Sequence, residues 1–328
     1  MTVIRRAAVA VLVAGMAATA AFPAQAKTPP AVAVAAPSSA GTLASSAVSS
    51  VRYGCQPAVG AIEPAGGLNH VILNNAKLTG PFFRDYLSTI QGVTALGATA
   101  YEVIGSKQTW YFRAFTVRGG ALRLETASYP NSNPAAVRRV SRSIGGGWGP
   151  IAKIVDASDR FPQYTKGGYL YALNAKSGTL ARYKVTEATF GAPTVRLDRR
   201  RSGYGKFRSL ALAYRYRQGY AGAADVLIGT TSGGGLYLIT IPVGGTFRPR
   251  LTRLRASTWT FDDLVVGTCN NHYSLIAVRG RLDRAYLYRL DTIAGTSSVI
   301  RSYGAIAGPW TSAHSSGIWS HGTYPSRW

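Results

Sequence analysis

An aromatic residue followed by a small one recurs at nearly constant spacing: Trp148-Gly149, Tyr204-Gly205, Trp259-Thr260 and Trp310-Thr311. The intervals are 56, 55 and 51 residues. Repetition at this length means that one supersecondary unit is copied, each copy burying its apolar face against the next. One interval before Trp148 falls near Leu96-Gly97, which fits a degenerate first unit.

A second landmark repeats with the first. Gly178-Thr179-Leu180-Ala181-Arg182-Tyr183, Gly234-Gly235-Leu236-Tyr237-Leu238-Ile239 and Ala285-Tyr286-Leu287-Tyr288-Arg289-Leu290 occupy equivalent places, with Gly119–Leu124 as a weaker copy. Their apolar and aromatic runs, bounded by glycine, read as strands. Partner strands precede them at Tyr169–Leu173, Asp225–Gly229 and Tyr273–Val278. The short turn-rich segments between, Asn174–Gly178 and Thr230–Gly234, make these pairs hairpins. Asn133-Pro134 followed by Val137, Val140 and Ile144 imitates a capped helix. The equivalent stretches 193–203 and 249–258 lack helical periodicity, and a repeat position holds one structure, so a strand or loop is expected. Units of about 50 residues with four short strands each predict an all-β fold, a β-propeller of five blades. The tail from Gly317 to Trp328 is aromatic enough to supply a closing strand, so that both chain ends share a blade. A pair of β-sandwiches is the competing architecture, but it gives no reason for the aromatic spacing.

The segment Trp148-Gly149-Pro150-Ile151 through Gly168–Leu173 to Gly178-Thr179-Leu180 resembles a blade of the tachylectin-type five-bladed lectins and of FG-GAP (VCBS) repeat proteins. The resemblance spans most of residues 97–310 and rests on spacing and on aromatic and glycine landmarks. The lectin likeness implies sugar binding in pockets repeated around the ring. FG-GAP blades bear an Asp-rich calcium loop, but the corresponding loops here hold only Asp156 and Asp159, or no acid. Six to eight oxygen ligands cannot be assembled from that, so neither a metal nor another cofactor is expected.

Residues 1–26 read as a signal peptide: Arg5 and Arg6, an apolar run Ala7–Ala21, then Ala24-Gln25-Ala26. Ordinary secretion is the first reading and the twin-arginine route the second. Residues 27–50 are dominated by Ala, Ser and Pro, with no acid and no aromatic, which describes a spacer and not a core. The propeller domain is then assigned to residues 51–328, in a secreted protein. Cys55 and Cys269 are the two cysteines. In an exported chain they suggest a disulfide, worth about 4–5 kcal/mol for so long a loop; two buried thiols are the alternative.

The chain carries 37 basic against 13 acidic side chains, a net charge of +24. Such a field attracts anions. The candidate partners are therefore glycans and anionic envelope polymers, since export removes chromosomal nucleic acid; a solvated surface without a partner is the bland reading. Basic clusters occur at Arg138-Arg139-Arg142, Arg199-Arg200-Arg201, Arg215-Arg217 and Arg248–Arg255. Three of them directly precede the next aromatic landmark, which would put them on an outer edge, where charge also discourages edge-to-edge pairing. Trp148, Tyr204, Trp259 and Trp310 either pack between blades or offer flat faces to sugar rings. The candidate ligand residues are these four with Arg199, Arg200, Arg201 and Arg250.

No catalytic constellation stands out. Neighbouring Asp262 and Asp263 point to opposite faces of a strand. His70, His272, His314 and His321 lack metal spacing. The sequence predicts a non-enzymatic binding protein. The alternatives are a polysaccharide hydrolase whose carboxylates, Asp156, Asp225, Asp262 and Asp263, converge from separate blades, and a scaffold or inhibitor of another protein.

Overall fold

The computed structural model describes residues 58–62, 68–74, 77–79, 90–104, 109–130, 136–158, 168–187, 192–216, 223–269, 272–282, 284–292, 295–306, 310 and 314–319. All of these belong to the unit Ser45–Trp328. The signal segment 1–26, the spacer 27–50, Cys55, Asp159, Arg217, His321 and the end of the tail lie outside the described residues.

The strands are β1 (Ala58–Ile62), β2 (Leu68–Asn74), β3 (Lys77–Thr79), β4 (Val93–Ile104), β5 (Thr109–Arg118), β6 (Ala121–Pro130), β7 (Arg138–Gly145), β8 (Ile151–Ala157), β9 (Gly168–Asn174) and β10 (Thr179–Glu187). They continue as β11 (Pro193–Arg201), β12 (Phe207–Tyr216), β13 (Ala224–Thr231), β14 (Leu236–Pro242), β15 (Arg250–Arg255), β16 (Asp263–Cys269), β17 (His272–Arg279), β18 (Arg284–Thr292), β19 (Val299–Ile306) and β20 (His314–Trp319). The hairpins expected from the sequence are β9–β10, β13–β14 and β17–β18. The helix-like stretch is the strand β7, which pairs with β6 from Ser128↔Arg138 to Leu122↔Gly145.

Strands β8–β11, β12–β15 and β16–β19 form three four-stranded antiparallel sheets. Their first strands pack in succession: β4 on β8, β8 on β12, β12 on β16, and β16 on β20, which returns to β4. Meander sheets standing around an axis with their first strands innermost make a β-propeller. The expectation of five separate blades is corrected, because the strands form four sheets. β20 pairs in parallel with β4 at Ile318↔Thr99 and Trp319↔Ala100, which joins β1–β3 and β20 to β4–β7 in one eight-stranded sheet. Strands from both ends of the chain do meet, since β1 pairs with β20 from Ala58↔Ile318 to Ile62↔His314.

The repeat has a hydrogen-bond explanation. The amides of Trp148, Tyr204 and Trp259 donate to the carbonyls of Gly120, Gly178 and Gly234 at 2.9, 2.9 and 2.8 Å. Each bond ties the segment leaving an outermost strand to the turn between the second and third strands of the same sheet. The small residue after the aromatic lets the backbones close: a Cβ on Gly178, whose φ is +64°, would stand 3.1 Å from the Gly205 nitrogen. Glycine therefore suits that turn on both counts.

The core lies between sheets. One cluster joins Leu122, Leu124 and Phe115 to Leu170 and Ala172. The next joins Tyr171, Leu173 and Leu180 to Leu227 and Ile239. A third joins Val226, Leu236 and Leu238 to Leu264, Leu275 and Leu290.

Candidate anion-binding surface

The aromatic landmarks take the packing role. Trp148, Tyr204, Trp259 and Trp310 are 7%, 4%, 6% and 2% exposed. Trp148 packs on Tyr183 with ring centres 4.6 Å apart, and Trp259 on Tyr288 at 4.8 Å. The Trp310 indole donates to the Ile306 carbonyl at 3.0 Å. Rings this enclosed have no open face on which a sugar can stack, so their candidacy as ligand residues is corrected.

The four acids separate into two groups. Asp262 and Asp263 stand where β16 begins, and Asp156 stands near the end of β8. Asp225 pairs with Arg215 near the end of β12, which runs alongside β8 and β16. Asp225 and Asp156 thus share the end opposite Asp262 and Asp263. Each carboxylate also has a protein partner. The Tyr171 hydroxyl donates to Asp225 at 2.7 Å, and the Ser158 amide and hydroxyl donate to Asp156 at 2.8 and 2.6 Å. The Lys153 ammonium lies 3.0 Å from Asp263, and Arg208 pairs with Asp262. Lys153 on β8 therefore reaches past the β12–β15 sheet to the start of β16, and Arg208 on β12 joins it there. Three sheets are tied at one end of the axis.

Sequence reasoning missed Lys153, and it missed Arg182. The Arg182 side chain is buried inside the propeller, donates to Asp198 at 2.6 Å and to the Pro242 carbonyl at 2.8 Å, and stacks on Tyr169. The one cation in the largely apolar strand β8 was the available signal for Lys153, whereas Arg182 shares β10 with Lys184 and had none.

The basic clusters do lie outermost. β7, β11, β15 and β19 are the free edges of their sheets. They carry three, four, three and one arginines, and Asp198 is the one acid among them. Arg138, Arg142, Arg196, Arg199, Arg200, Arg201, Arg250 and Arg253 are exposed. Among the described residues none of these eight is ion-paired.

Strand alternation divides the predicted cluster. Arg199 and Arg201 sit opposite Arg182 and Leu180, which face the β12–β15 sheet. Arg200 sits opposite Ala181 and faces the other way, beside Tyr183. The tyrosine phenols report the same division. Burial raises Tyr183 above its ordinary value while Arg200 pulls it down; burial raises Tyr204 while Arg201 pulls it down. Arg253, opposite Tyr237, faces back toward β11 and shares a cleft with Arg199 and Arg201. Arg250, opposite Thr240, is turned toward the β16–β19 sheet instead. Three of these arginines are thus brought to one cleft, while Arg200 and Arg250 go to the clefts on either side.

Cys269 closes β16, and no group of three or more metal-binding side chains occurs among the described residues. No helix among them is long and apolar enough to cross a membrane.

No protein-family model matches the chain, FG-GAP repeats included, and no curated protein matches it. Solved structures do. A fucose-specific lectin from Aleuria aurantia is similar at 12% identity and a TM-score of 0.42, over 77% of this chain and 76% of that one. The SapL1 lectin solved with alpha methyl fucoside is similar at 9% identity and 0.39, over 75% and 79%. A GH62 hydrolase solved with xylotriose is similar at 13% identity and 0.39, over 71% and 75%. Likeness of this degree transfers neither a ligand nor an activity.

Proposed function

We propose that this protein is a secreted, non-enzymatic binder of anionic polymers, acidic glycans and envelope polymers among them. One observation carries the reading: eight exposed arginines on the outermost strands β7, β11 and β15 have no acid partner among the described residues. Unneutralised guanidinium groups in neighbouring sheets repel one another, and a polyanion lying across them removes that repulsion while releasing its own counterions.

Long-chain polyphosphate and a sulfated polysaccharide are the probes. Both bind at low salt, and the logarithm of affinity falls linearly with the logarithm of salt concentration. The triple variant R199E/R201E/R253E weakens binding at least about tenfold and flattens the salt slope, with its melting temperature kept. Equal binding by parent and variant rules the arginine surface out.

The same proposal includes export and the Cys55–Cys269 bridge. Ala58 pairs with Ile318 near the end of β20, and Cys269 ends β16, which packs on β20. The intact mass of the exported protein checks both features: a chain starting at Lys27 and lacking two hydrogens is expected. A full-length or reduced mass removes the corresponding feature.

A further inference from the structure

Among the described residues five large aliphatic side chains are exposed: Leu282, between β17 and β18, and one on each outermost strand, Val140, Leu197, Leu251 and Val299. Two of them meet at one cleft. Val140 sits opposite Thr126, on the side of Leu122 and Leu124 that faces the β8–β11 sheet. Leu197 sits opposite Tyr183, on the side of Val185 and Val195 that faces back toward β7. Their heights agree to within one residue, about 3.3 Å of strand rise, because Thr126 follows the turn glycine Gly120 by six residues and Tyr183 follows Gly178 by five. β7 and β11 come within 8 Å of each other, Cα to Cα.

One level below this pair stands a pair of cations. Arg142, opposite Leu124, and Arg200, opposite Ala181, face each other from the two sheets. Asp198 does not neutralise them, because it sits at the register shift of β11 and is bonded to Arg182 on the other side of the sheet.

Val140 and Leu197 are 47% and 54% exposed, so the mouth of this cleft holds apolar surface in water between guanidinium groups. A polyphosphate or an acidic glycan answers the arginines and leaves the aliphatics wet. A phospholipid surface answers both, offering phosphates to the cations and hydrocarbon to the aliphatic pair. The mouth also opens away from the axis, at the rim of the propeller, where a flat surface can reach it. We propose that the β7–β11 mouth docks on a bilayer containing anionic phospholipid, with Arg142 and Arg200 on phosphates and Val140 and Leu197 entering the interface. This rests on the reading of the arginine surface as anion-binding and adds an apolar component to it.

The test is sedimentation of the intact protein with vesicles of phosphatidylglycerol and phosphatidylcholine, set beside its binding to long-chain polyphosphate. The parent is expected to partition onto the mixed vesicles and only weakly onto pure phosphatidylcholine. V140N/L197N lowers vesicle partitioning about tenfold and leaves polyphosphate binding unchanged; R142E/R200E lowers both. Thermal melts confirm that each variant folds. Vesicle partitioning that V140N/L197N leaves unaltered overturns the membrane proposal, as does binding to polyphosphate but not to mixed vesicles; in both cases the anion-binding reading stands. A protein that binds neither probe at low salt overturns the two together.

Discussion

Trp259→Ala lowers the free energy of unfolding by about 3–5 kcal/mol, the cost of emptying a large aromatic from a packed core. The site cannot collapse to fill the space. Trp259 sits between sheets among Leu236, Leu264 and Leu290, with Phe261 at 5.4 Å and Tyr288 at 4.8 Å between ring centres. Each sheet is held by its own hydrogen-bond ladder, and moving one toward the other would disturb both. The backbone bond from the Trp259 amide to Gly234 survives the substitution, so the change reads side-chain packing alone. Urea unfolding of parent and variant measures it. A loss below about 1 kcal/mol would mean that the landmark is not a packing residue, and would reopen its candidacy as a ligand platform.

The second large effect lies at the axis. Lys153→Met removes the cation that lies 3.0 Å from the buried Asp263 carboxylate and breaks a buried ion pair between β8 and β16. Breaking such a pair costs about 3–5 kcal/mol. Replacing both partners, in K153M/D263L, restores most of the loss, because two well-packed apolar side chains do not need the ion pair. The informative quantity is the coupling between the two changes, read from urea unfolding of both single variants and the double. Additive losses would show that Lys153 and Asp263 act independently and that the three-sheet tie is not energetic.

These expectations show what was legible before the structure. The landmark spacing identified an all-β repeat and located the hairpins, because a unit that cannot bury its own apolar face must repeat its packing residues at the unit length. It also placed the arginine clusters on outer edges, since they directly precede the segment that starts each new unit. Blade number was not legible. Whether β20 closes a blade of its own or extends the β4 sheet depends on two residue pairs, Ile318↔Thr99 and Trp319↔Ala100, formed between segments more than 200 positions apart.

The candidate site divides in the same way. Arg199, Arg200 and Arg201 look like one cluster in the sequence, and the pleat of β11 sends them to two different clefts. Arg253 joins two of them from another sheet. Val140 and Leu197 face one cleft although register shifts interrupt both of their strands, at Leu122/Arg123 and at Arg182/Tyr183. A single-residue shift reverses which side a strand turns outward, and no local pattern announces it.

The recurring aromatic therefore determined, by itself, that this chain is a ring of similar sheets, because periodic burial is a local property of sequence. The tertiary structure alone decided that those aromatics are enclosed, that the acids are separated and bonded, and which arginines share a cleft. Each of these depends on the register and approach of strands distant in the chain.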